Sequence, residues 1–460
     1  MKSDDISRRS FIRGLGMASL AALAPSCVGK SETGGKTPTV KGEMTRRVNP
    51  NTGDSVSLLG YGCMRLPVIE KNEADGQDEI DQEMVNRLTD HAIANGVNYF
   101  DTSPVYCKGR SEHAMGLALS RHPRESYYIA TKLSNFDPST WPRERSIEMF
   151  ENSLRELRTD YVDYMLLHSI GGGGMETFDK RYTDNGILQY LIEQKAAGRI
   201  RNLGFSYHGD IEVFDNMLAR MDRGEVHWDF VQIQLNYIDW LHAKEVNTVN
   251  TNAEYLYGEL HRRGIPVVIM EPLLGGRLAS VTAPVAAKLK ARRPDDSVAS
   301  WAFRFAGTPE GVLTVLSGMT YMEHLEDNLA TYSPLRPVDD SEREFLEIIA
   351  EEILANNEIP CTDCRNCLPC PYGINIPAIF AHYNKCLKDD NVSRDTRDPH
   401  YQSARRAFLV GYDRKVPKLR QADRCVACGN CISECPQSIA IPARLREISE
   451  YVNRLKAGKA

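Results

Sequence analysis

The chain has 460 residues, 42% of them hydrophobic, which is enough apolar mass for two or three folded domains around a large core. Its formal net charge of -6 at pH 7 excludes the basic field that nucleic-acid binding requires.

In chain order the first element is the opening "MKSDDISRRSFIRGLGMASLAALAPSC", residues 1–27. A charged start, the pair Arg8 and Arg9, and an apolar run from Gly14 to Ala24 have the three-part form of an export signal, and the run is too short to span a bilayer. "SRRSFIR" resembles a twin-arginine signal, which implies export of a folded, cofactor-loaded protein to the periplasm or the outer face of a membrane. Cys27 is a candidate lipid-attachment residue, so membrane contact is expected only through this segment. Residues 28–43 have the Gly, Ser, Thr and Lys content of a flexible tether.

From residue 44 to about 335, short apolar strands alternate with longer amphipathic stretches. Strands are predicted from Ser57, Tyr99, Tyr127, Tyr161, Ile200, Phe230, Pro266 and Gly311. Helices are predicted to begin near Asp81, Ser111, Pro142, Gly186, Asp210, Ala253, Ser297 and Met322. Eight alternating pairs are the count of an α/β TIM barrel. A doubly wound open sheet is the alternative, but "LLGYGCMRLP" stands where its glycine-rich turn would be.

Barrel chemistry belongs to the C-terminal ends of the strands. Four polar residues stand there in consecutive units: Asp101 ending "NYFD", Tyr106 in the loop after it, Lys132 ending "YYIATK", and His168 ending "YVDYMLLH". Singly, such residues are turn formers or hydrogen-bonded core groups. Together they resemble the catalytic set of the aldo-keto reductase superfamily, as do "LGYGCMRLP", "NYFDTSPVYCKGRSE", "IRNLGFS", "VQIQLNYID", "EPLLGGRL" and "LSGMTYMEHLEDNL".

The resemblance implies hydride transfer between a nicotinamide and the carbonyl carbon of a small carbonyl or alcohol substrate. Tyr106 would be the general acid, Lys132 would lower its pKa, Asp101 would hold Lys132, and His168 would orient the carbonyl. The chemistry asks for these residue types. A phenol with pKa near 10 needs a neighbouring ammonium, and a buried ammonium needs a carboxylate. By the same resemblance Ser206 and Gln232 hold the nicotinamide carboxamide, Met270 packs on its ring in place of a tyrosine, and Tyr207 replaces an amide side chain. In the last loop Gly318 and His324 stand where Lys or Arg would grip a 2'-phosphate, while Asp327 and Asn328 match the adenine end. A dianion without fixed cations loses its charge-assisted hydrogen bonds, which favours NAD(H) over NADP(H).

Residues 336–355 read as a linker helix and 356–456 as a second, mostly helical domain. It carries "C-x2-C-x2-C-x2-C-P" from Cys361 and "C-x2-C-x2-C-x3-C-P" from Cys425. Zinc favours pairs of ligands, whereas triplets followed by proline resemble bacterial ferredoxin strings carrying two 4Fe-4S clusters. That resemblance implies crossed ligation: Cys361, Cys364, Cys367 with Cys435, and Cys425, Cys428, Cys431 with Cys370. The first string is one residue short before Cys370, which leaves that residue's assignment open. Cys63, Cys107 and Cys386 read as structural. The pairing of domains resembles an aldo-keto reductase branch bearing a dicluster domain.

A nicotinamide moves two electrons as hydride and a cluster moves one. A mediator or radical chemistry links the two sites, or the clusters serve a redox protein partner, or they serve only the fold. A non-catalytic electron-transfer subunit using the barrel as scaffold is the rival reading.

Overall fold

The computed structural model describes residues 42–69, 79–355, 358–393, 395–435, 437 and 439–459; the expected signal, Cys27 and nearly all of the tether lie outside them. The chain opens with an antiparallel hairpin, β1 (Arg46–Val48) and β2 (Ser55–Ser57), followed by β3 (Leu59–Gly62). A second small antiparallel pair, β4 (Val68–Ile69) and β5 (Glu79–Ile80), flanks the first loop. Next come β6 (Tyr99–Asp101), β7 (Tyr128–Leu133), β8 (Val162–Ile170) and β9 (Ile200–Tyr207). β10 (Phe230–Gln234), β11 (Val267–Met270) and β12 (Val312–Ser317) complete the set. β3 and β6 to β12 close into one eight-stranded parallel barrel, with β12 pairing back onto β3 at Val315 and Leu59. All eight expected strands are present, although the first divides into β2 and β3 around Leu58.

Helices start where capping residues supply an acceptor. Asp81 takes the Met84 N–H, Asp210 that of Glu212 and Ser297 that of Ser300, at three of the expected starts. The strand period of two then sorts side chains between two cores. Phe100, Ile129, Leu133, Met165, Leu167 and Ile233 point outward into the layer shared with the helices. Tyr99, Ala130, Tyr164, Leu166, Phe230 and Val268 point inward and fill the barrel, with the Tyr164 and Phe230 rings 5.0 Å apart edge to face. The opening hairpin plugs the N-terminal end: Val56 joins the interior cluster, and the buried Asn49 amide donates to Tyr164 Oη and Asn202 Oδ1. Chemistry is thereby confined to the opposite mouth.

The helix Asp340–Leu354, expected as a linker, packs on the barrel through Leu346, Ile349, Ala350 and Ile353. Its capping-box residue Glu342 also accepts from Arg304 and Arg293 at 2.6 and 2.5 Å. Burial alone would raise this carboxyl, but the two guanidinium groups outweigh it and hold it down at about 2.

The C-terminal region has its own core. Phe408 sits at its centre, 4.9 Å from the Tyr451 ring, between the helices Ile376–Lys388, Tyr401–Lys415 and Ile441–Lys456. The last helix buries Ile441, Leu445, Ile448, Val452 and Leu455 at helical spacing. Cys386 lies inside this core, 3.5 Å from His382 Nε2. Among the described residues no helix is long and apolar enough to cross a membrane.

Candidate active site

The same period of two that builds the interior brings the expected residues to its upper layer. On β6 Asp101 follows Tyr99 inward, on β7 Lys132 follows Ala130, and on β8 His168 follows Leu166. Register places Ser206 beside Gln232 on the neighbouring strands β9 and β10. Asp101, Lys132, His168, Ser206 and Gln232 therefore share one face at the barrel mouth.

Lys132 is 1% exposed and Asp101 2%; Nζ donates to Asp101 Oδ1 at 2.5 Å and to the Thr102 carbonyl at 2.7 Å. Burial works to lower the Lys132 pKa, but Asp101 and Tyr106 outweigh it and hold the ammonium above its ordinary value. Burial raises the Asp101 carboxyl, with Lys132 pulling against it. Nζ is hydrogen-bonded to the Tyr106 side chain and lies 4.7 Å from its ring centroid. Burial pushes the Tyr106 phenol up to about 12 against the pull of Lys132, so the phenol is protonated at neutral pH. The lysine moderates the shift and does not reverse it.

His168 stands edge-on to Tyr106, ring centroids 5.9 Å apart. Burial, then the charges of Lys132 and Arg181, hold its pKa well below the ordinary histidine value, so the ring is neutral. Its Nδ1 is 2.5 Å from Ser134 Oγ, which is 2.9 Å from Ser103 Oγ. The backbone carbonyl of His168 accepts from Arg181 at 2.7 Å, and Arg181 is braced by Asn135. None of Ser103, Ser134, Asn135 or Arg181 was singled out from the sequence.

Ser206 Oγ accepts from the Ser169 N–H at 2.8 Å. Gln232 Oε1 is buried with no hydrogen-bond partner among the described residues, an acceptor suited to a carboxamide NH2. Tyr207 Oη, at the position where an amide is common, donates to the Gly209 carbonyl at 2.5 Å. Met270 ends β11 beside Gln234 and is partly exposed at the mouth. Gly318 is exposed at the end of β12 against the Arg65 side chain, and His324 is exposed against Tyr321. Asp327 accepts from Ser297 Oγ at 2.7 Å and the Asn328 amide donates to Ser317 Oγ at 2.9 Å, so the helix Met322–Tyr332 is tied to the start of the helix Val298–Gly307 and to the end of β12. Cys63 is buried close to Asp101 and Lys132, while Cys107 leans on the Cys63 and Met64 carbonyls.

In the second core Cys361, Cys364, Cys367 and Cys435 line one pocket walled by Ile376 and Phe380. Cys425, Cys370 and Cys428 lie near Cys431. Cys435 thus lies with the cysteines of the first string and Cys370 near those of the second, despite the short spacing before Cys370. Burial pushes the Cys361 thiol up to about 11 and that of Cys367 to about 12, so thiolates in this apolar pocket require a compensating positive charge such as that of a bound metal. Among the described residues no three ligand-type side chains converge on a point that would hold a single metal ion.

Several contacts join the regions, among them Lys388, which donates to the Ser280 carbonyl, and Arg277, which faces Glu358 at 3.8 Å. Arg65, in the turn after β3, donates through Nη2 to the Thr362 carbonyl within the first cysteine string. Thr362 also packs on Gly275, whose φ of +67° and missing Cβ make the space for it.

Residues 59–350 match the sequence profile of the Aldo/keto reductase family. The chain belongs to that family. Residues 360–440 match the 4Fe-4S dicluster domain, so this aldo/keto reductase carries a ferredoxin-type extension. It is 24% identical over 316 residues to an L-galactose dehydrogenase of Arabidopsis thaliana, covering 65% of this chain and 92% of the relative. It is 27% identical over 287 residues to a methylglyoxal reductase of Escherichia coli O157:H7, covering 62% and 89%. Among solved structures it resembles an aldo-keto reductase from Bacillus halodurans in its holo form, with 23% identity, a TM-score of 0.52, and 67% and 96% of the two chains covered. It also resembles one from Klebsiella pneumoniae in complex with NADPH, with 22% identity, a TM-score of 0.51, and 67% and 95% covered. At these identities the two structures show the fold that the aldo/keto reductase shares with them.

Proposed function

We propose that this aldo/keto reductase is an exported, nicotinamide-dependent oxidoreductase that interconverts a small carbonyl compound and its alcohol, and that its C-terminal region carries two 4Fe-4S clusters. The observation that supports this best is the buried Lys132–Asp101 pair beneath a protonated Tyr106 and a neutral His168. A scaffold would gain nothing from a buried ion pair aimed at a phenol.

A bound nicotinamide supplies the hydride. Tyr106 Oη gives its proton to the carbonyl oxygen as that oxygen becomes an alkoxide, and Lys132 stabilises the phenolate left behind. Asp101 holds the ammonium in place. His168 Nε2–H donates to the same oxygen, which requires Nδ1 to be the acceptor; Ser134 Oγ donates to it and accepts in turn from Ser103. Gln232 Oε1 and Ser206 would hold the carboxamide edge of the bound cofactor. Neither position 318 nor 324 carries a Lys or Arg, and the Arg65 side chain that packs beside Gly318 has its guanidinium engaged by the Thr362 carbonyl, which supports NAD(H) over NADP(H).

Cys361, Cys364, Cys367 and Cys435 would hold one cluster, and Cys370, Cys425, Cys428 and Cys431 the other, each supplying one-electron capacity. Export rests on the twin-arginine pattern at Arg8 and Arg9. The test is isotopic. NADH or NADPH deuterated at C4 is incubated with the anaerobically purified holoprotein and a panel of small aldehydes and ketones. The reading expects deuterium on the carbinol carbon of the product. Reduction without label transfer, or label from neither cofactor, would overturn it.

A further inference from the structure

The two cysteine quartets are not equivalent. The first is turned toward the barrel, where Thr362 is gripped by Arg65 and packed on Gly275. The second reaches the outer surface, and Cys428 is exposed. Around it stand four large apolar side chains left in water: Leu419 is 69% exposed, Val426 57%, Tyr372 48% and Ile432 46%. Val426 and Ile432 flank the ligands Cys425 and Cys431 directly. Tyr372 lies two residues beyond Cys370, in the turn where the Gly373 N–H bonds the Cys370 carbonyl. That turn runs alongside Leu419, since the Asn375 N–H donates to the Arg420 carbonyl. All four therefore border one quartet, since Cys370 lies near Cys431, and exposed apolar residues gathered this way mark an interaction surface.

The rim decides what the patch fits. Residues 413–424, "DRKVPKLRQADR", carry five basic and two acidic side chains, a local balance of +3 in a chain whose net charge is -6. Arg414, Lys415, Lys418 and Arg424 are all exposed. A basic collar on an otherwise acidic molecule attracts an acidic partner to this face and repels it elsewhere.

We propose that the surface formed by Tyr372, Leu419, Val426 and Ile432, with its rim of Arg414, Lys415, Lys418 and Arg424, docks a small acidic one-electron carrier protein. The inference rests on the reading that the second quartet holds a 4Fe-4S cluster. In the docked pair one electron passes between that cluster and the carrier's redox centre. The cluster is oxidised by one electron as the carrier is reduced by one, or the reverse, and no bond or proton changes place. The apolar centre supplies contact and excludes water, while the collar supplies orientation and encounter rate.

The test uses the anaerobic holoprotein, an acidic plant-type 2Fe-2S ferredoxin as probe, and a basic cytochrome c as control. Iron content and visible absorption first establish that the clusters are present, so failure of the cluster reading is seen separately. The ferredoxin should bind at low ionic strength, lose affinity in 0.5 M salt, and exchange electrons with the clusters in stopped flow. Lys415→Glu with Lys418→Glu, and separately Leu419→Ser, should each weaken binding on the order of 10-fold and slow the exchange. Iron, absorption and carbonyl reduction should stay at wild-type values, and cytochrome c should not bind the wild type more tightly than the charge-reversed variant. No salt-sensitive binding of ferredoxin, or binding indifferent to both variants, would overturn the proposal. So would sedimentation showing a dimer that Leu419→Ser converts to monomer, which would assign the patch to a second copy of the chain.

Discussion

Replacing Asp101 with asparagine removes the carboxylate from an ion pair in which both side chains are almost wholly buried and the atoms are 2.5 Å apart. The Lys132 ammonium then keeps the Thr102 carbonyl and the Tyr106 side chain as its partners. Breaking one side of a buried pair costs about 3–5 kcal/mol, because the remaining charge is left uncompensated. That is a large part of the roughly 5–15 kcal/mol that holds a typical domain folded. The sign with pH is definite. In the wild type the folded pKa of Lys132 is raised, so its contribution is fully present below the unfolded lysine value of about 10.4 and is lost as pH rises through the folded one. In Asp101→Asn burial dominates and pulls the lysine down, so the penalty is greatest near neutrality and shrinks with rising pH. Urea unfolding followed by circular dichroism, at about pH 7 and about pH 9.5 with iron content checked, measures it. Asp101→Asn with Lys132→Met should regain most of the stability, since no charge is left buried, but none of the carbonyl reduction. A single-variant cost below about 1 kcal/mol, or a double variant no more stable than the single, would refute the assignment of Asp101 as the counter-ion.

Ser134→Ala removes the donor to His168 Nδ1 and should lower kcat by roughly 10- to 100-fold with KM little changed, while Ser134→Thr restores it; equal loss in both variants would reduce Ser134 to packing. Gly275→Ala and Gly276→Ala form a matched pair, both at positive φ, where an added side chain costs about 1–2 kcal/mol of backbone strain. Only at position 275 does the new Cβ meet Thr362, so that variant should lose about 1–3 kcal/mol more in urea unfolding, and equal losses would dissolve the proposed joint. Cys428→Ser should cost about one cluster's iron, whereas Cys63→Ser should leave iron unchanged.

The barrel was legible because its strands are short apolar runs at regular intervals, and a period of two then forces Asp101, Lys132 and His168 onto one inner face. Cysteine spacing announced the second region. The groups that tune the site were not legible: Ser103 and Ser134 are ordinary loop hydroxyls until folding stacks them under His168, and Arg181 reaches its carbonyl from a π-helical turn with no sequence signal. The Lys132–Tyr106 relation was read with the right partners, but burial of the phenol outweighs the lysine, a balance set by depth that a linear pattern does not carry. The segment expected as a linker is a barrel helix because Glu342 answers two arginines about 40 to 50 residues away.

The central claim is that Tyr106 is the proton donor of a working reductase. Tyr106→Phe keeps the ring beside Lys132 and His168 and removes only the hydroxyl. The decisive measurement is steady-state carbonyl reduction by this variant, with nicotinamide binding followed by fluorescence on the same sample. The account predicts unchanged cofactor affinity and a fall in kcat of roughly 10²-fold or more. Full turnover by Tyr106→Phe with every carbonyl that the wild type reduces would contradict it.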